Sequence, residues 1–237
     1  MAKLKSSKTL SIVIPTFNEA GNLPLLIADL NLWPYPLEIF ICDANSDDLT
    51  ARVAALAGAE VVNHPEPNRG AQLHKGYAHT TGDWILFLHA DCRLTNNWPV
   101  VIERVIRNEL SQNIAWYFDL KIDSNRFDLT LMELMVSIRS KYLQRPYGDQ
   151  GLLIHRSLYT ILGGYNPYYI MEDLDFIERV SDKANLKRLG LPIYSNSRRW
   201  KKVNVLVKAY ENAKLRRHWR MGESSKSLAK KYYKVRK

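Results

Sequence analysis

Cysteine is scarce in this chain of 237 residues, and long hydrophobic runs are missing. With only Cys42 and Cys92 available, a disulfide framework and a cysteine-based zinc site are both excluded. The longest apolar stretch, at residues 85–88, is far shorter than the roughly 18 residues needed to cross a bilayer and is typical of a buried strand. Basic residues begin the chain, but no apolar signal core follows them. We therefore expect a cytoplasmic protein, either soluble or peripheral at the inner face of the membrane.

Glycine-rich phosphate-binding loops are missing as well. Neither GxGxxG nor GxxxxGK[ST] occurs in the sequence, which excludes a dinucleotide-binding fingerprint and a P-loop. A phosphate group of a ligand would then need a metal ion. Asp91 follows an apolar run directly and is well placed to hold such an ion.

Positive charge is concentrated at one end of the chain. The formal net charge is +10, yet residues 198–237 hold 15 Lys and Arg against two acids, while residues 1–197 hold 19 bases and 22 acids. Basic blocks commonly contact phosphates of nucleic acid or of membrane head groups, although some only keep a protein soluble. We predict a body at residues 1–197 and a basic helical tail at residues 198–237.

Strands alternate with helices through the body. This order predicts βαβ units, and therefore an α/β fold whose mostly parallel sheet is flanked by helices. Residues 114–122 predict a further strand near a sheet edge. An amphipathic helix is predicted at 129–142, with Leu131, Leu134, Met135 and Ile138 in the core. The other predicted strands are 10–15, 37–42, 60–63, 83–88 and 151–155, and the other predicted helices include 49–56, 70–80 and 98–110.

Three turns that follow predicted strands are rich in acids and amides. Parallel sheets bind ligands beyond the carboxyl ends of their strands, so these turns should meet at one edge. Each turn alone could be an ordinary cap or turn, but three in register favour a ligand site. The three groups are Thr16, Asn18 and Glu19; Asp43, Asn45 and Ser46; and His89 and Asp91.

Four motifs, in this order, resemble the family 2 glycosyltransferases of the GT-A fold. They are IVIPTFNEAGNL, ICDANSDD, NRGAQLHKGYAHTTGDWILFLHADCRL and MEDLDF. The likeness is strongest to a small bacterial subgroup that has LHAD in place of the double-aspartate metal motif. It continues through YGDQGLLIHRSLY, LGGYNPYYIMEDLDF and SNSRRW. Some members of that subgroup are described as arsenosugar-biosynthesis glycosyltransferases.

The resemblance implies an inverting enzyme that moves a sugar from a nucleotide-sugar donor, with a UDP-sugar favoured, to an acceptor hydroxyl. Asp43 would meet the base or the ribose of the donor. Arg69 and Lys75 would approach the base or the diphosphate. The donor nucleotide would be lined by the end of the first strand, at Pro15, Thr16, Asn18 and Glu19.

The metal motif departs from the family pattern. Asp91 keeps the carboxylate that would face Mn²⁺ or Mg²⁺, while His89 replaces the first aspartate. An imidazole can bind the ribose or ligate Mn²⁺, but the site has one negative charge fewer for a hard cation. We expect a divalent ion held mainly by Asp91.

The resemblance also implies a catalytic base in the pair Glu172 and Asp173. A carboxylate within hydrogen-bond reach can take the proton of an acceptor hydroxyl as it attacks the anomeric carbon. We choose Asp173 for this role. Asp149 and Gln150 are expected to position the sugar or the acceptor.

Two other classes of function are compatible with the sequence. The pI near 9.5 and the aromatic, basic tail fit a nucleic-acid-binding protein, but no nucleic-acid-binding signature is present and the body is acidic. Nucleic acid is therefore the less favoured partner. A catalytically weak nucleotide-sugar sensor is the other alternative, because HAD weakens the metal site. Donor turnover distinguishes an enzyme from a sensor.

The tail has a pattern of its own. Apolar residues fall near one side of a predicted helix at 203–220, and lysines and arginines cover the rest. Such a helix fits a membrane surface that holds anionic lipid. The alternative is that the apolar residues pack on the body and the cations face water. The apolar set is Val203, Leu206, Val207, Tyr210, Ala213 and Trp219.

Overall fold

Residues 9–200 and 204–234 are described in the computed structural model of the protein. Within these ranges eight strands form one mixed sheet that carries helices on both faces. The strands are β1 Leu10–Thr16, β2 Leu37–Asp43, β3 Glu60–Asn63, β4 Trp84–Phe87, β5 Cys92–Leu94, β6 Ile114–Ile122, β7 Leu152–His155 and β8 Asn185–Ser195. The helices are α1 Leu23–Leu30, α2 Thr50–Leu56, α3 Arg69–His79, α4 Trp98–Arg107, α5 Phe127–Tyr142, α6 Arg156–Ile161, α7 Glu172–Lys183, α8 Val205–Arg220 and α9 Ser225–Lys234.

The strand order is β3-β2-β1-β4-β7-β6-β8-β5. The four strands β1 to β4 run parallel to one another, so their carboxyl ends share one edge of the sheet. Strand β7 is antiparallel to β4 and to β6, and β5 is antiparallel to β8, whereas β6 and β8 are parallel. The prediction of an α/β fold is confirmed, with a sheet that is parallel in its first half and mixed beyond β4.

The predicted strands agree with the observed ones to within a residue or two at each end. The sequence predicts strand β6 with its observed bounds, but the expected position near a sheet edge is wrong. It lies between β7 and β8, because β8 and β5 extend the sheet beyond it. These two outer strands come from segments far apart in the chain, and no local pattern indicates their pairing.

Two hydrophobic layers cover the two faces of the sheet. Side chains of a strand alternate between faces, so Ile12 and Ile14 of β1 enter one layer while Val13 enters the other. Helices α1 and α4 close the first layer, and α3, α6 and α7 close the second. Such two-sided burial is the reason that the parallel strands consist of continuous apolar runs.

Helix α5 buries a different side from the one that the sequence predicts. Its buried side chains are Leu129, Val136 and Ser140, and Leu129 packs with Ile122 and Val205. The stripe expected in the core is between 44% and 60% exposed, because no described element covers that side of the helix. This stripe consists of Leu131, Leu134, Met135 and Ile138.

The tail helices pack on the body through residues that only partly match the predicted stripe. Trp219 of α8 meets Tyr168 edge-on, with ring centroids 4.9 Å apart, and Leu228 of α9 is buried beside Ile170. On the outer side, Leu206, Val207 and Tyr210 of α8 are 55% to 76% exposed. Ala213 is also exposed, and Val203 lies outside the described residues. None of the helices within the described ranges is long and apolar enough to cross a membrane.

Candidate active site

The ends of β1 and β2 are joined by a network of buried and half-buried hydrogen bonds, which we call the β1–β2 turn network. Thr16 Oγ1 donates to Asp43 Oδ1 at 2.9 Å. Ser46 donates its Oγ–H to the same oxygen at 2.6 Å and its backbone N–H to Asp43 Oδ2 at 2.9 Å. Asp43 is only 2% exposed, so this carboxylate holds the two strand ends in register.

Asn18 connects the turn after β1 to the turn after β2 on their exposed side. Its backbone has φ of 55°, in the left-handed region that asparagine adopts more readily than most residues. Its N–H donates to Ser46 Oγ at 2.8 Å, and its side-chain oxygen accepts from the N–H of Asp47 at 2.9 Å. The short polar side chain is therefore required by the local backbone geometry.

Glu19 connects the network to a distant segment of the chain. Arg198 Nη2 donates to both carboxylate oxygens of Glu19, at 2.6 and 2.7 Å. Asn22 also donates to Glu19, at 2.5 Å. Arg198 belongs to the SNSRRW motif, for which the resemblance implies no site residue. Pro15 is half-buried in β1, opposite Cys42 of β2.

Asp91 lies beyond the end of β4 and is nearly buried. It lines a cavity of about 290 Å³ together with Asn22, Asp123 and Asn196. The N–H of Asn196 donates to the backbone oxygen of Asp91 at 3.1 Å. Since Asn22 also donates to Glu19, the cluster after β1 and the cluster after β4 meet at this cavity, as the parallel topology predicts.

Arg69 and Lys75 lie on α3 but point to different places. Arg69 Nη1 forms an ion pair with Glu172 Oε1 at 3.1 Å. Lys75 Nζ donates to the backbone oxygen of Asn63 at 2.6 Å, at the outer strand β3. The structure therefore brings Arg69 to the acids of α7 and leaves Lys75 at the sheet edge.

Glu172 and Asp173, the acid pair, begin helix α7. Glu172 is 1% exposed, and its Oε2 has no hydrogen-bond partner among the described residues. Burial raises the pKa of Glu172 to about 7, against the opposing effect of the Arg69 cation, and the neighbouring Asp173 raises it further. A carboxyl group buried beside a cation can therefore hold a proton near neutral pH.

Asp173 faces a narrow space next to Gly148. The N–H of Gly148 donates to Asp173 Oδ2 at 2.9 Å. A Cβ atom on Gly148 would lie 2.9 Å from His89 Nε2 and 3.3 Å from Asp173 Oδ2, so a larger residue there would displace the imidazole of His89 from this approach. His89 and the acid pair also line a water-sized cavity of about 10 Å³. The cluster after β4 therefore reaches the acid pair.

Met171 holds the acid pair in a strained backbone geometry. Its φ is 69° and its ψ is 11°, a left-handed conformation that costs free energy for a residue with a long side chain. This residue directly precedes Glu172. Strain of this kind is concentrated at functional sites, where the surrounding structure maintains it.

Asp149 and Gln150 form a short 3₁₀ turn with Gly148. Gln150 is buried, accepts from Ser140 Oγ at 2.6 Å and donates to the backbone oxygen of Phe118 at 3.0 Å. Its amide is engaged at both ends, which favours a role in anchoring the turn that carries Asp149. The predicted contact of these two residues with an acceptor stays a prediction.

The residues after β4 fit a metal ion only in combination with a ligand. Within the described ranges, no group of three or more His, Cys, Asp or Glu side chains could hold an ion by itself. His89 and Asp91 offer one imidazole and one carboxylate. His89 and Asp91 line different cavities. Mg²⁺ is commonly held by one or two carboxylates together with substrate phosphates, so the Asp91 carboxylate suits an ion that arrives with a diphosphate.

Comparison with known proteins identifies the family. The sequence model of "Glycosyl transferase family 2" matches residues 11–162, which is more than half of the chain. The chain belongs to this family. The 4,4'-diaponeurosporenoate glycosyltransferase of Staphylococcus haemolyticus is 30% identical over 115 residues, which cover 46% of this chain and 30% of that relative. The family 2 chain thus matches about a third of that relative's length.

Solved structures share the fold of this family 2 chain. S. aureus TarS in complex with UDP matches with a TM-score of 0.64 and 14% identity, over 79% of this chain and 60% of that chain. Glucosyl-3-phosphoglycerate synthase from Mycobacterium tuberculosis, in complex with Mn²⁺, UDP and phosphoglyceric acid, matches with a TM-score of 0.55 and 24% identity, over 78% and 70%. The expected GT-A fold, with a helical C-terminal extension, is confirmed.

Proposed function

We propose that the chain transfers a sugar from a nucleotide-sugar donor to an acceptor hydroxyl, with inversion at the anomeric carbon. The observation that carries this proposal is the approach of His89, Gly148 and Asp173 at the same sheet edge as the β1–β2 turn network. A carboxylate thus lies beside the motif that would hold the donor diphosphate. The LHAD motif supports placing the chain in the bacterial subgroup that carries this motif, including members linked to arsenosugar synthesis.

The donor would lie along the ends of β1, β2 and β4. In the proposed complex, Asp43 meets the base or ribose, and Pro15, Thr16, Asn18 and Glu19 line the nucleotide. Arg69 approaches the diphosphate from α3, and Lys75 borders the base at the outer strand. UDP is the proposed nucleotide, because TarS and the mycobacterial synthase, whose folds match this chain, are both described with UDP.

Asp91, with His89, is proposed to hold Mn²⁺ or Mg²⁺ together with the donor diphosphate. A divalent ion there would supply Lewis-acid stabilisation of the charge that grows on the leaving diphosphate. Support comes from the buried carboxylate after β4 and from the Mn²⁺ that is described in the synthase complex.

Asp173 is proposed as the general base and Glu172 as its buried neighbour. The half-buried Asp173 would accept the proton of the acceptor hydroxyl as that oxygen attacks the anomeric carbon from the face opposite the diphosphate. Glu172 is inaccessible and ion-paired with Arg69, which suits it to positioning rather than to proton transfer. Asp149 would orient the sugar or the acceptor from the adjoining turn.

Donor turnover tests this proposal. The purified chain is incubated with UDP-, GDP- and dTDP-sugars and a set of hydroxyl-bearing acceptors, with and without Mn²⁺, and release of the nucleoside diphosphate is measured. We expect release from a UDP-sugar that requires the metal. Binding without release would support the sensor alternative, and a salt-dependent shift of nucleic acid without donor binding would support the nucleic-acid-binding alternative.

We further propose that the outer side of the tail contacts an anionic membrane surface from the cytoplasm. Leu206, Val207 and Tyr210 are exposed there beside lysines and arginines, a combination that suits an interfacial helix. Salt-sensitive co-sedimentation with anionic vesicles is expected, and Leu206→Gln should weaken it. Leu110→Gln, at an exposed leucine of the body, is the matched control. Equal co-sedimentation of both variants and the wild type would contradict this surface.

A further inference from the structure

Four arginines are clustered between α5 and α8, and within the described residues two of the four have a carboxylate partner. Arg145 and Arg220 share Glu178, with N–O distances of 3.1 and 3.2 Å. Among the described residues, neither Arg139 of α5 nor Arg216 of α8 has a carboxylate within ion-pair distance. Arg139 donates its Nε–H to the backbone oxygen of Arg145 at 2.9 Å, and Arg216 makes no hydrogen bond through its guanidinium within the same ranges.

The ring of Tyr147 lies near both of these guanidinium groups. The Cζ atom of Arg139 is 4.0 Å from the centroid of the ring, and that of Arg216 is 6.0 Å from it. Cation–π contacts offset part of the cost of holding two cations close together, but they do not neutralise the charge. The Nη–H groups of Arg139 and the guanidinium of Arg216 make no hydrogen bond within the described ranges, so these donors are available to an anion.

The arginine pair borders the proposed base. Tyr147 directly precedes Gly148, whose N–H donates to Asp173. Arg216 also interacts electrostatically with Asp173, and burial, together with the nearby Arg139 and Arg220, lowers the pKa of Arg216 despite the opposing effects of Tyr147 and Asp173. A half-buried cation whose cationic neighbours destabilise it is stabilised by a bound anion.

From this arrangement we infer that Arg139, Tyr147 and Arg216 form an anion-binding subsite for the acceptor, which carries a phosphate or carboxylate group near its reacting hydroxyl. The inference rests on the proposed function, since it names the substrate class for the hydroxyl that Asp173 would deprotonate. Guanidinium groups bind either anion through paired N–H donors. Helix α8 of the tail thereby supplies one wall of the acceptor side.

The test uses the full chain and inorganic phosphate or acetate as probes. Arginine guanidinium resonances are followed by NMR while each probe is added, first alone and then in the presence of diamagnetic Mg²⁺ and enough UDP to fill the donor site. We expect saturable shifts of the Arg139 and Arg216 signals that persist when UDP is bound. The stronger of the two probes identifies the anionic group of the acceptor.

Three variants locate the effect. Arg139→Gln and Arg216→Gln should each weaken binding of the probe by about 10-fold or more, because each removes charge-assisted hydrogen bonds. Arg217→Gln, at an exposed position of the same helix, should bind the probe as the wild type does. The wild-type titration remains decisive if a variant fails to fold.

Two results would overturn the inference. The first is the absence of a saturable shift of Arg139 and Arg216 with either probe. The second is a loss of UDP affinity, rather than of probe affinity, in the two arginine variants, which would assign these arginines to the donor side. Failure of the proposed function is seen separately, as a wild-type chain that does not bind UDP at all.

Discussion

The β1–β2 turn network and the acid pair lie at the same end of the sheet but differ in how far their polar groups are satisfied. In the turn network, both carboxylate oxygens of Asp43 accept hydrogen bonds from Thr16 and Ser46. In the acid pair, Glu172 has a buried oxygen without a partner among the described residues. The first region is held together by its own contacts, whereas the second contains a buried carboxyl oxygen that no described residue satisfies.

This difference indicates that the two regions have different roles, one in binding and one in chemistry. A satisfied network of buried hydrogen bonds is rigid and can present a fixed surface to a nucleotide. Strain at Met171 and a raised pKa at Glu172 are instead typical of groups that act in a reaction. Variants in the two regions should therefore have different consequences: a loss of stability in the turn network and a loss of chemistry at the acid pair.

The largest effect is expected at Asp173. Asp173→Asn removes the proposed proton acceptor and should lower the transfer rate roughly 100- to 10,000-fold, with donor affinity nearly unchanged. Steady-state transfer and donor binding are measured on the same preparation. Asp182→Asn, at an exposed acid of the same helix, should retain the wild-type rate. If Glu172→Gln lowers the rate more than Asp173→Asn does, the other member of the acid pair is the base.

Glu172 should make the stability of the fold depend on pH. Its pKa is about 7 in the folded chain against an ordinary 4.5, so between these values the folded state holds a proton that the unfolded state releases. The free energy of unfolding should therefore fall as pH rises through this window, by up to about 3 kcal/mol. Chemical unfolding at several pH values measures this slope.

Glu172→Gln should remove this part of the slope, because the amide does not titrate. Glu109→Gln, at an exposed acid, is the control and should keep the wild-type slope. A wild-type slope in Glu172→Gln would mean that the buried carboxyl is not the source.

Asp91 should determine metal-dependent donor affinity. Asp91→Asn removes one charged ligand and should weaken UDP-sugar binding in Mn²⁺ by roughly 10- to 100-fold, while binding without metal changes little. Calorimetric titration with and without Mn²⁺ measures both. Asp123→Asn removes a carboxylate from the wall of the same cavity and should have a much smaller effect. Equal losses in the two variants would point to the cavity's overall charge instead.

The smallest effect is expected in the turn network. Thr16→Val deletes the hydroxyl that donates to Asp43 Oδ1 and should lower the free energy of unfolding by about 1–2 kcal/mol. Thr130→Val, at an exposed threonine of α5, should change it by less than about 0.5 kcal/mol. Equal stabilities of the two variants would contradict a structural role for the network.

The parallel half of the fold could be predicted from the sequence because local patterns determine it. Apolar runs that end abruptly in polar turns specify both the strands β1 to β4 and the edge at which Thr16, Asp43 and Asp91 gather. The position of β6 was not accessible in this way, since it depends on the pairing of β7, β8 and β5 from distant segments. The prediction of which side of α5 is buried was wrong for a related reason. An apolar stripe does not reveal whether another element covers it.

Parts of the candidate site were also inaccessible to sequence reasoning. Met171 has no intrinsic preference for positive φ, so its strained backbone could not be expected. Arg139 and Arg216 are 77 positions apart, and only the packing of α8 against the body brings both to Tyr147. Arg198 lies in the SNSRRW motif, yet its contact with Glu19 depends on the fold. The division of the chain at residues 197 and 198 stays a prediction.

The thermal unfolding midpoint in the presence of donors tests the central claim most directly. A ligand that binds only the folded state raises this midpoint. We predict a rise with a UDP-sugar that depends on Mn²⁺ in the wild type and is lost in Asp91→Asn. A midpoint that no UDP-, GDP- or dTDP-sugar raises, with or without Mn²⁺, would contradict a nucleotide-sugar site at this edge of the sheet.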